Sequence, residues 1–513
     1  MPDRRKPEPV LPPASDAASR KTPQDLNQRR VTAFCSVVLC AIAAHGFLFA
    51  NEFFSHDSVS YFNYTEWGFR FYTGIGRFLI PVYEALKGPV AAPWLIGVLF
   101  ALWMGLTGVV VTDLLGVQSP SGIVLACGLL CTNVSISLTG ATYVYCMDEY
   151  AFALLCAAVA AFLFLRGGRL SLLGVLPLVA SLSVYQPYVT VTAVLCLLAL
   201  LRDASDGRRF RSVLARGVAA LTLLAVSYLI YYGLWTVLRM VAQIPQTRDV
   251  VSFRDMGPLA RLASANAAFF NFLFRPGVVL GPLRPVAHGL LLVLLLWRLL
   301  RTLANPRVPL PNRLLLLTLS ALLPAALYSV AFVMPGEAHD LTAYARELFY
   351  LLPLSLLDAP PRRNASAERV VVCVLLSLLL WHHVVYANQA YMKKDLEKTS
   401  TLILAARIID RIESVPGYVP GETRVAFAGR FDDNEPLDAP LDAFDGFRTQ
   451  TGLWHAHAAT YNMGRYLTEY LRYPLNWDRE SGVTRSELAQ AMPAFPDTRS
   501  VRMIDGVVVV KLS

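Results

Sequence analysis

Long apolar stretches separated by short polar connections make up the chain from about residue 31 to residue 387. A helix needs roughly 20 apolar residues to cross a hydrocarbon core, and most of these stretches approach that length. The pattern therefore predicts an all-α polytopic membrane region with about eleven membrane-spanning helices. We place them at residues 31–50, 92–111, 122–137, 150–165, 170–184, 188–201, 217–238, 285–300, 314–333, 348–357 and 370–387.

The two ends of the chain have a different pattern. Residues 1–30 are rich in proline and charge, which predicts a disordered, basic cytoplasmic tail. A cleaved signal peptide is the alternative for the stretch after it, but the charged region and the apolar core are both too long for one. Residues 388–413 have helical periodicity, and residues 423–429 and 507–511 have strand character. We therefore predict three parts: the tail 1–30, a membrane domain 31–387, and a small soluble α/β domain 388–513.

Composition supports the membrane prediction. The 513 residues are 55% hydrophobic and 16% charged, whereas soluble domains carry about 25% charged residues. The net charge of +9 comes from arginines in short clusters rather than from one continuous basic stripe, which argues against nucleic-acid binding. Nearly all eight cysteines lie in apolar stretches without metal-ligand spacing, so we expect them to pack in helices. No metal or cofactor is predicted.

The arginines also predict the orientation in a bacterial inner membrane. Cytoplasmic loops are enriched in Lys and Arg, and placing the N-terminus in the cytoplasm puts most arginine clusters inside. The C-terminal domain is then periplasmic. The loop at residues 138–149 is outside and has no Lys or Arg. The predicted inner clusters contain Arg166, Arg169, Arg202, Arg208, Arg209, Arg211, Arg216, Arg301, Arg307, Arg313, Arg362 and Arg363.

The first outer loop, residues 51–91, combines acids, arginines and many aromatic rings. Aromatic residues often mark the membrane interface, which accounts for the rings but not for the charges. Asp57 follows closely after the first span, and Arg70 and Arg77 are seven residues apart on the outer side. Glu66 lies between Asp57 and Arg70 in the sequence. Residues 76–87 are predicted to form a short amphipathic helix on the membrane.

Other outer residues are candidates for the same site. Asp148 and Glu149 begin the fourth span, where acids also occur simply because the helix dipole favours them. Arg346 lies beside the tenth span, where an outer arginine opposes the usual charge asymmetry and a phosphate would compensate it. The arginines of loop 239–284 are expected either to bind anionic lipid headgroups or to guide a lipid phosphate.

Carboxylates and arginines together at a membrane surface suit transfer of a sugar from a lipid phosphate. The carboxylate takes the proton of the incoming hydroxyl. Arginine, with its two-pronged guanidinium, stabilises the departing phosphate. Aromatic rings can stack on sugar faces or contact lipid.

A first span followed by an outer-loop aspartate, the Gly76-Arg77 pair, and the run Leu-Ser-Val-Tyr-Gln at residues 182–186 resemble the Gtr-type O-antigen glucosyltransferases. These are GT-C class polytopic glycosyltransferases. The resemblance implies that Asp57 is the catalytic carboxylate and that Arg77 borders the donor site. It also implies that Tyr185 and Gln186 line the outer cavity. Asp57 is flanked by a histidine and a serine instead of a second acid, which leaves open whether Glu52 or Glu66 assists.

The resemblance leads to a definite functional prediction. The protein moves a hexose, expected to be glucose, from a polyprenyl-phosphate donor to a lipid-linked or O-antigen glycan on the periplasmic side. A transporter or flippase is the alternative from another class, but the predicted spans are nearly free of charge and show no internal repeat. A polymerase of lipid-linked glycans shares the chemistry and stays open.

Overall fold

The structure, a computed structural model, describes residues 23–55, 66–88, 92–246, 256–306, 308–333, 339–358, 366–429 and 463–513. Helices dominate it, and a small sheet lies near the C-terminus. Proline occupies the first turn of several helices, where its missing N–H costs no hydrogen bond. Asn133 separates two helices of the apolar region, and its side chain accepts a hydrogen bond from the amide of Ile136, capping the second of them.

The helices of the first half are α1 (Pro23–Ala50), α2 (Glu66–Gly74), α3 (Ile80–Lys87), α4 (Pro93–Leu115), α5 (Pro120–Thr132), α6 (Val134–Tyr143), α7 (Met147–Phe164), α8 (Val175–Val184), α9 (Val189–Ser205) and α10 (Phe210–Val241). Those of the second half are α11 (Pro258–Phe274), α12 (Leu283–Ala304), α13 (Leu310–Leu327), α14 (Ser329–Val333), α15 (Tyr344–Glu347), α16 (Leu351–Leu357), α17 (Ser366–Glu413) and α18 (Glu487–Gln490).

Eight helical stretches among the described residues are long and apolar enough to cross a membrane. They make this a membrane protein, but the predicted number of about eleven is not confirmed. The predicted span 122–137 and all but the last residue of the predicted span 150–165 fall within one apolar stretch, Pro120–Phe164. The predicted span 170–184 belongs to a shorter apolar helical segment, Gly168–Val184. The predicted span 348–357 contains α16, whose seven residues are too short to cross by themselves.

The core of the membrane region lies around α5, α6 and α7. Most of the Pro120–Phe164 stretch is buried inside the protein, packed against α1, α4, α9 and α17. The helices α10, α12 and α13 bury much less of their surface and form the periphery. Their exposed leucines and valines are the surface that a bilayer covers.

The last long helix, α17, has 48 residues and is continuous. At 1.5 Å per residue it is about 72 Å long, well over twice the hydrocarbon thickness of a bilayer. The predicted span 370–387 and the predicted soluble helix 388–413 are therefore one element. The C-terminal end of α17, with Leu404, Ile408 and Ile412, packs on the sheet.

The C-terminal sheet contains four strands: β1 (Arg424–Ala428), β2 (Asn476–Trp477), β3 (Val501–Ile504) and β4 (Val507–Lys511). Their order is β2-β1-β4-β3, with β1 parallel to both neighbours and β3 antiparallel to β4. Asp505 and Gly506, both at positive φ, form the tight turn between β3 and β4. The two strands predicted from the sequence correspond to β1 and β4. The three-part division of the chain stays a prediction.

The segment before Asp57 connects the sheet region with the membrane helices. Phe54 lies in the core of the sheet region, with its ring centroid 4.9 Å from that of Tyr466 and 5.0 Å from that of Tyr470. The next residue, Ser55, is fully buried and donates a hydrogen bond to the carbonyl of Thr142 at 2.6 Å. The chain that follows α1 is thus held from both sides as far as Ser55.

Candidate functional site

A buried ion cluster lies at the beginning of α7. The Lys87 ammonium donates to Oδ1 of Asp148 at 3.1 Å, to Oε1 of Glu149 at 2.9 Å and to the carbonyl of Tyr145 at 2.9 Å. The side chains of all three charged residues are 1% exposed or less. Asp148 and Glu149 also lie in the first turn of α7, where the helix dipole favours negative charge. The geometry is thus compatible with both explanations of this acid pair: acids favoured by the helix dipole, and residues of the functional site.

Lys87 stays charged in this cluster. Burial alone would lower the pKa of its ammonium, but the charges of Glu149 and Asp148 more than offset burial and raise the pKa above its usual value. The cluster thus contains one ammonium group and two carboxyl groups. Oδ2 of Asp148 and Oε2 of Glu149 have no hydrogen-bond partner among the described residues.

The Gly76-Arg77 turn is held by three side chains from other elements. Gln186 donates to the carbonyl of Ile75 at 2.8 Å, Tyr231 to the carbonyl of Gly76 at 3.0 Å, and Trp235 to the carbonyl of Thr73 at 2.7 Å. Gly76 has φ +83°, and a Cβ there would lie 2.3 Å from the Tyr231 hydroxyl. Only glycine fits this turn, which fixes the direction of the next residue.

Arg77 follows this turn, and its side chain contacts α7. Its Nη1 donates to the Tyr150 hydroxyl at 2.8 Å, and its guanidinium lies 5.0 Å from the ring centroid of Tyr185. The rings of Tyr150 and Tyr185 stack with centroids 4.3 Å apart. Because Tyr150 directly follows Glu149 in the chain, Arg77 and the buried acids lie around the same end of α7. The predicted residues Arg77, Asp148, Glu149, Tyr185 and Gln186 are therefore brought together.

Arg346 lies in a second charged cluster. Its guanidinium contacts Asp340, donates to Oε1 of Glu347 at 3.1 Å and donates to the Tyr328 hydroxyl at 3.1 Å. Burial alone would raise the pKa of Asp340, but Arg346 holds that pKa below its usual range. Burial raises the pKa of Glu347, although Arg346 opposes the change. Two carboxylates thus already balance Arg346, and its predicted phosphate contact stays a prediction.

A row of aromatic rings connects the two clusters. Tyr185 contacts Tyr188 with ring centroids 4.8 Å apart, and Tyr188 contacts Tyr344 with centroids 5.8 Å apart. Tyr344 lies two residues before Arg346 and donates to the carbonyl of Leu130 at 2.7 Å. The ends of several helices therefore meet on one side of the protein.

The remaining predicted residues lie at or beyond the limits of the described chain. Arg70 is exposed on α2, and its guanidinium approaches the carbonyl of Gln243 at 3.5 Å. Glu66 begins α2, but its side chain is outside the described part. Asp57 lies outside the described residues, and its predicted catalytic role stays a prediction.

Lys87 is the residue that sequence reasoning missed. A lysine in a loop is usually solvent-exposed, so the sequence gives no reason to expect buried ion-pair partners for it. The signal was the spacing: Ile80, Glu84 and Lys87 recur on one face of α3, and that face points inward. The amphipathic helix predicted for this segment is present as α3. Its buried face carries charge as well as apolar side chains.

Comparison with known protein families gives a match. The family model described as "Glucosyl transferase GtrII" matches residues 46–356, which include the Lys87 cluster, the Gly76-Arg77 turn and Arg346. No curated protein and no solved structure matches the chain. The match extends over more than half of the 513 residues. The chain therefore belongs to the glucosyl transferase GtrII family, as its first outer loop and the Tyr185-Gln186 turn predicted.

Proposed function

We propose that this glucosyltransferase-family protein moves glucose from a polyprenyl-phosphate donor to a lipid-linked or O-antigen glycan, on the periplasmic side of a bacterial inner membrane. The family match carries the proposal, because it extends over the turn and the helix ends where the predicted residues meet. Polar residues at the outer ends of apolar helices suit a substrate whose sugar is in water and whose chain is in lipid. The GT-C mechanism that we propose uses no metal.

In the proposed reaction, Asp57 accepts the proton of the acceptor hydroxyl as its oxygen bonds to the anomeric carbon. The bond from that carbon to the phosphate oxygen breaks, and its electron pair leaves with the polyprenyl phosphate. The placement of Ser55 supports this role. It is buried and bonded to Thr142, so the chain enters the loop that contains Asp57 from a fixed position.

Arg77 is proposed to bind the donor phosphate, with Arg70 and Arg346 as further cations. Arg77 is held by Tyr150 and Tyr185, which are neutral, and it has no carboxylate within ion-pair distance among the described residues. A phosphate would supply the missing negative charge, and the planar guanidinium suits two of its oxygens. Tyr185, Gln186, Glu66, Asp148 and Glu149 would line the cavity for the sugars.

The proposed side of the membrane is tested by topology. The arginine pattern places the N-terminus in the cytoplasm and the sheet region in the periplasm. Alkaline phosphatase, which is active only in the periplasm, should therefore be active when fused to Ser513. The same enzyme fused after Arg166 should be inactive. A well-expressed but inactive fusion at Ser513 would overturn the orientation.

The proposed donor contact is tested at Arg77. Arg77→Lys keeps the charge but loses the two-pronged geometry, so it should bind the donor more weakly than the native protein. Arg77→Ala should bind it about 10- to 100-fold more weakly, as expected for loss of a charge-assisted hydrogen bond. Affinity for a polyprenyl-phosphate sugar is measured for both variants.

Arg169→Ala is the matched control for this experiment, because Arg169 is exposed and on the predicted cytoplasmic side. Its affinity for the donor should equal that of the native protein. Unchanged donor affinity in Arg77→Ala would show that this arginine only anchors the loop.

A further inference from the structure

The described part of the membrane region contains an apolar groove that none of the predicted roles uses. It has a volume of about 250 Å³ and lies between α9, α11, α12, α13 and residues 348–357. Its α12 side is formed by Leu292, Leu295, Leu296 and Leu299, which recur at three- and four-residue intervals on one face of the helix. Little of α12 and α13 is buried inside the protein, so the groove lies at the periphery, where lipid reaches it.

The two ends of the groove differ in polarity. Ser205, Arg298 and Thr302 line one end, which the arginine pattern predicts to be cytoplasmic. Phe269 and Phe349 line the other end, where their ring centroids are 5.7 Å apart. Along α12 the lining residues extend over about 15 Å, which is half of the roughly 30 Å hydrocarbon core of a bilayer. The groove therefore has the depth of one leaflet, and its polar end lies at the level of the headgroups.

Arginine is in excess at the polar end. Arg298 and Arg301 share one carboxylate, that of Glu368 at the start of α17, at 3.7 Å and 3.0 Å. Neither arginine has another carboxylate within ion-pair distance among the described residues. Asp206, at the end of α9, interacts with Arg298 over a longer range, and it is shared with two other arginines beside it. This end of the groove thus has more guanidinium than carboxylate groups and favours an anion.

Arg298 differs from other half-buried arginines on this side of the membrane region. Arg216 donates to the carbonyl of Leu165 at 2.9 Å, and Arg313 donates to the carbonyl of Val308 at 2.9 Å. These two arginines hold helix ends together. The side chain of Arg298 makes no hydrogen bond to any residue that the structure describes, and it lines the groove. Its guanidinium N–H groups are therefore the donors that a ligand in the groove meets.

A phospholipid fits both the groove and its polar end. Leucine and phenylalanine side chains line most of the groove, and Ser320 is the polar residue between its ends. An acyl chain supplies the van der Waals contacts that these side chains would otherwise lack. A phosphate at the same end as Arg298 supplies the missing anion. The polyprenyl chain of the proposed donor would instead enter from the opposite side, where Phe269 and Phe349 lie, and would bring no phosphate to Arg298.

We propose that the groove binds one anionic phospholipid of the leaflet on the Arg298 side, with its phosphate at Arg298 and one acyl chain along α12. The guanidinium of Arg298 donates to the phosphate oxygens, and the hydroxyl of Ser205 donates to an ester oxygen next to them. Arg301, which is more exposed, attracts the negatively charged head group. The acyl chain also packs on α16, whose seven residues are too few to cross the membrane alone. This site is on the side predicted to be opposite to Arg77 and does not depend on glucosyl transfer.

The test is binding of phospholipids to the full-length protein in detergent. Dioleoyl phosphatidylglycerol should bind at least tenfold more tightly than dioleoyl phosphatidylcholine, which has the same chains but no net charge. Arg298→Gln should weaken phosphatidylglycerol binding about 10- to 100-fold, because it loses a charge-assisted contact. Glu368 keeps Arg301 as its partner in this variant, so its melting temperature without lipid should be native. Arg169→Gln, an exposed arginine on the same predicted side that does not line the groove, is the matched control and should bind phosphatidylglycerol normally.

A second variant tests the place of the acyl chain. Leu299→Trp fills the groove and should weaken binding of both phospholipids at least tenfold. Leu300→Trp is its matched control, because Leu300 is the next residue of α12, is 60% exposed and does not line the groove. Phosphatidylglycerol affinities within twofold of native in both Arg298→Gln and Leu299→Trp would overturn the proposal. Displacement of phosphatidylglycerol by an equal concentration of farnesyl phosphate would also overturn it, because the groove would then take the chain of the donor.

Discussion

Replacing Asp57 with asparagine should reduce glucosyl transfer about 10²- to 10⁴-fold, the usual cost of losing a general base. The amide has the size of the carboxylate but cannot accept the proton of the acceptor hydroxyl. Ser55 and Phe54 hold the chain just before this position, and neither is changed by the substitution. Expression, membrane insertion and melting temperature should therefore be those of the native protein. The rate of sugar transfer from a polyprenyl-phosphate hexose is the measurement.

Asp113→Asn is a matched control for that experiment. Asp113 is near the end of α4 and pairs with Arg30 at 2.9 Å on the predicted cytoplasmic side. Its loss should leave transfer unchanged. If Asp57→Asn retained transfer within a few-fold of native, the base would be sought at Glu52, Glu66 or Asp148.

The substitution Lys87→Met should lower the free energy of unfolding by about 3–5 kcal/mol, the typical cost of removing one partner of a buried ion pair. Methionine has similar length, but it leaves Asp148 and Glu149 buried without the cation that both contact. Thermal or denaturant unfolding in detergent measures the change. Adding Glu149→Gln to Lys87→Met should recover part of the loss, because one uncompensated charge is removed.

An exposed ion pair provides the comparison. Arg499 contacts Asp497 at 2.9 Å in the C-terminal region, and the Arg499 side chain is largely exposed. Arg499→Met should lower the free energy of unfolding much less than Lys87→Met does, because solvent screens an exposed pair. Equal effects of the two substitutions would mean that the Lys87 cluster is not the buried network described above.

The sequence predicted much of the fold because hydrophobic blocks and turn signals are local. The stretch at 31–50 is within α1, and the strands at 423–429 and 507–511 are β1 and β4. Counting spans was less successful, since α5, α6 and α7 follow each other within one apolar stretch and their breaks are set by caps such as Asn133. The continuity of α17 beyond residue 387 was also missed. Its composition changes there, although its helical backbone does not.

The sequence predicted those parts of the candidate site that depend on residue type and on position in a particular loop. Gly76, Arg77, Tyr185 and Gln186 do meet, because the Gly76 turn is bonded to the side chain at the Tyr185-Gln186 turn. Partners from distant parts of the chain could not be read from local patterns. Lys87 contacts acids some 60 residues later, and Arg298 pairs with a glutamate about 70 residues later. Only tertiary packing brings such pairs together.

Transfer from a lipid-linked donor is the most direct test of the proposed function. The purified native protein, reconstituted in liposomes with a glycan acceptor, is given either polyprenyl-phosphate glucose or UDP-glucose, and labelled glucose in the acceptor is counted. The proposed chemistry predicts transfer from the polyprenyl phosphate, release of one polyprenyl phosphate per glucose, and no transfer from UDP-glucose. Transfer from UDP-glucose without any from the lipid-linked donor would contradict it.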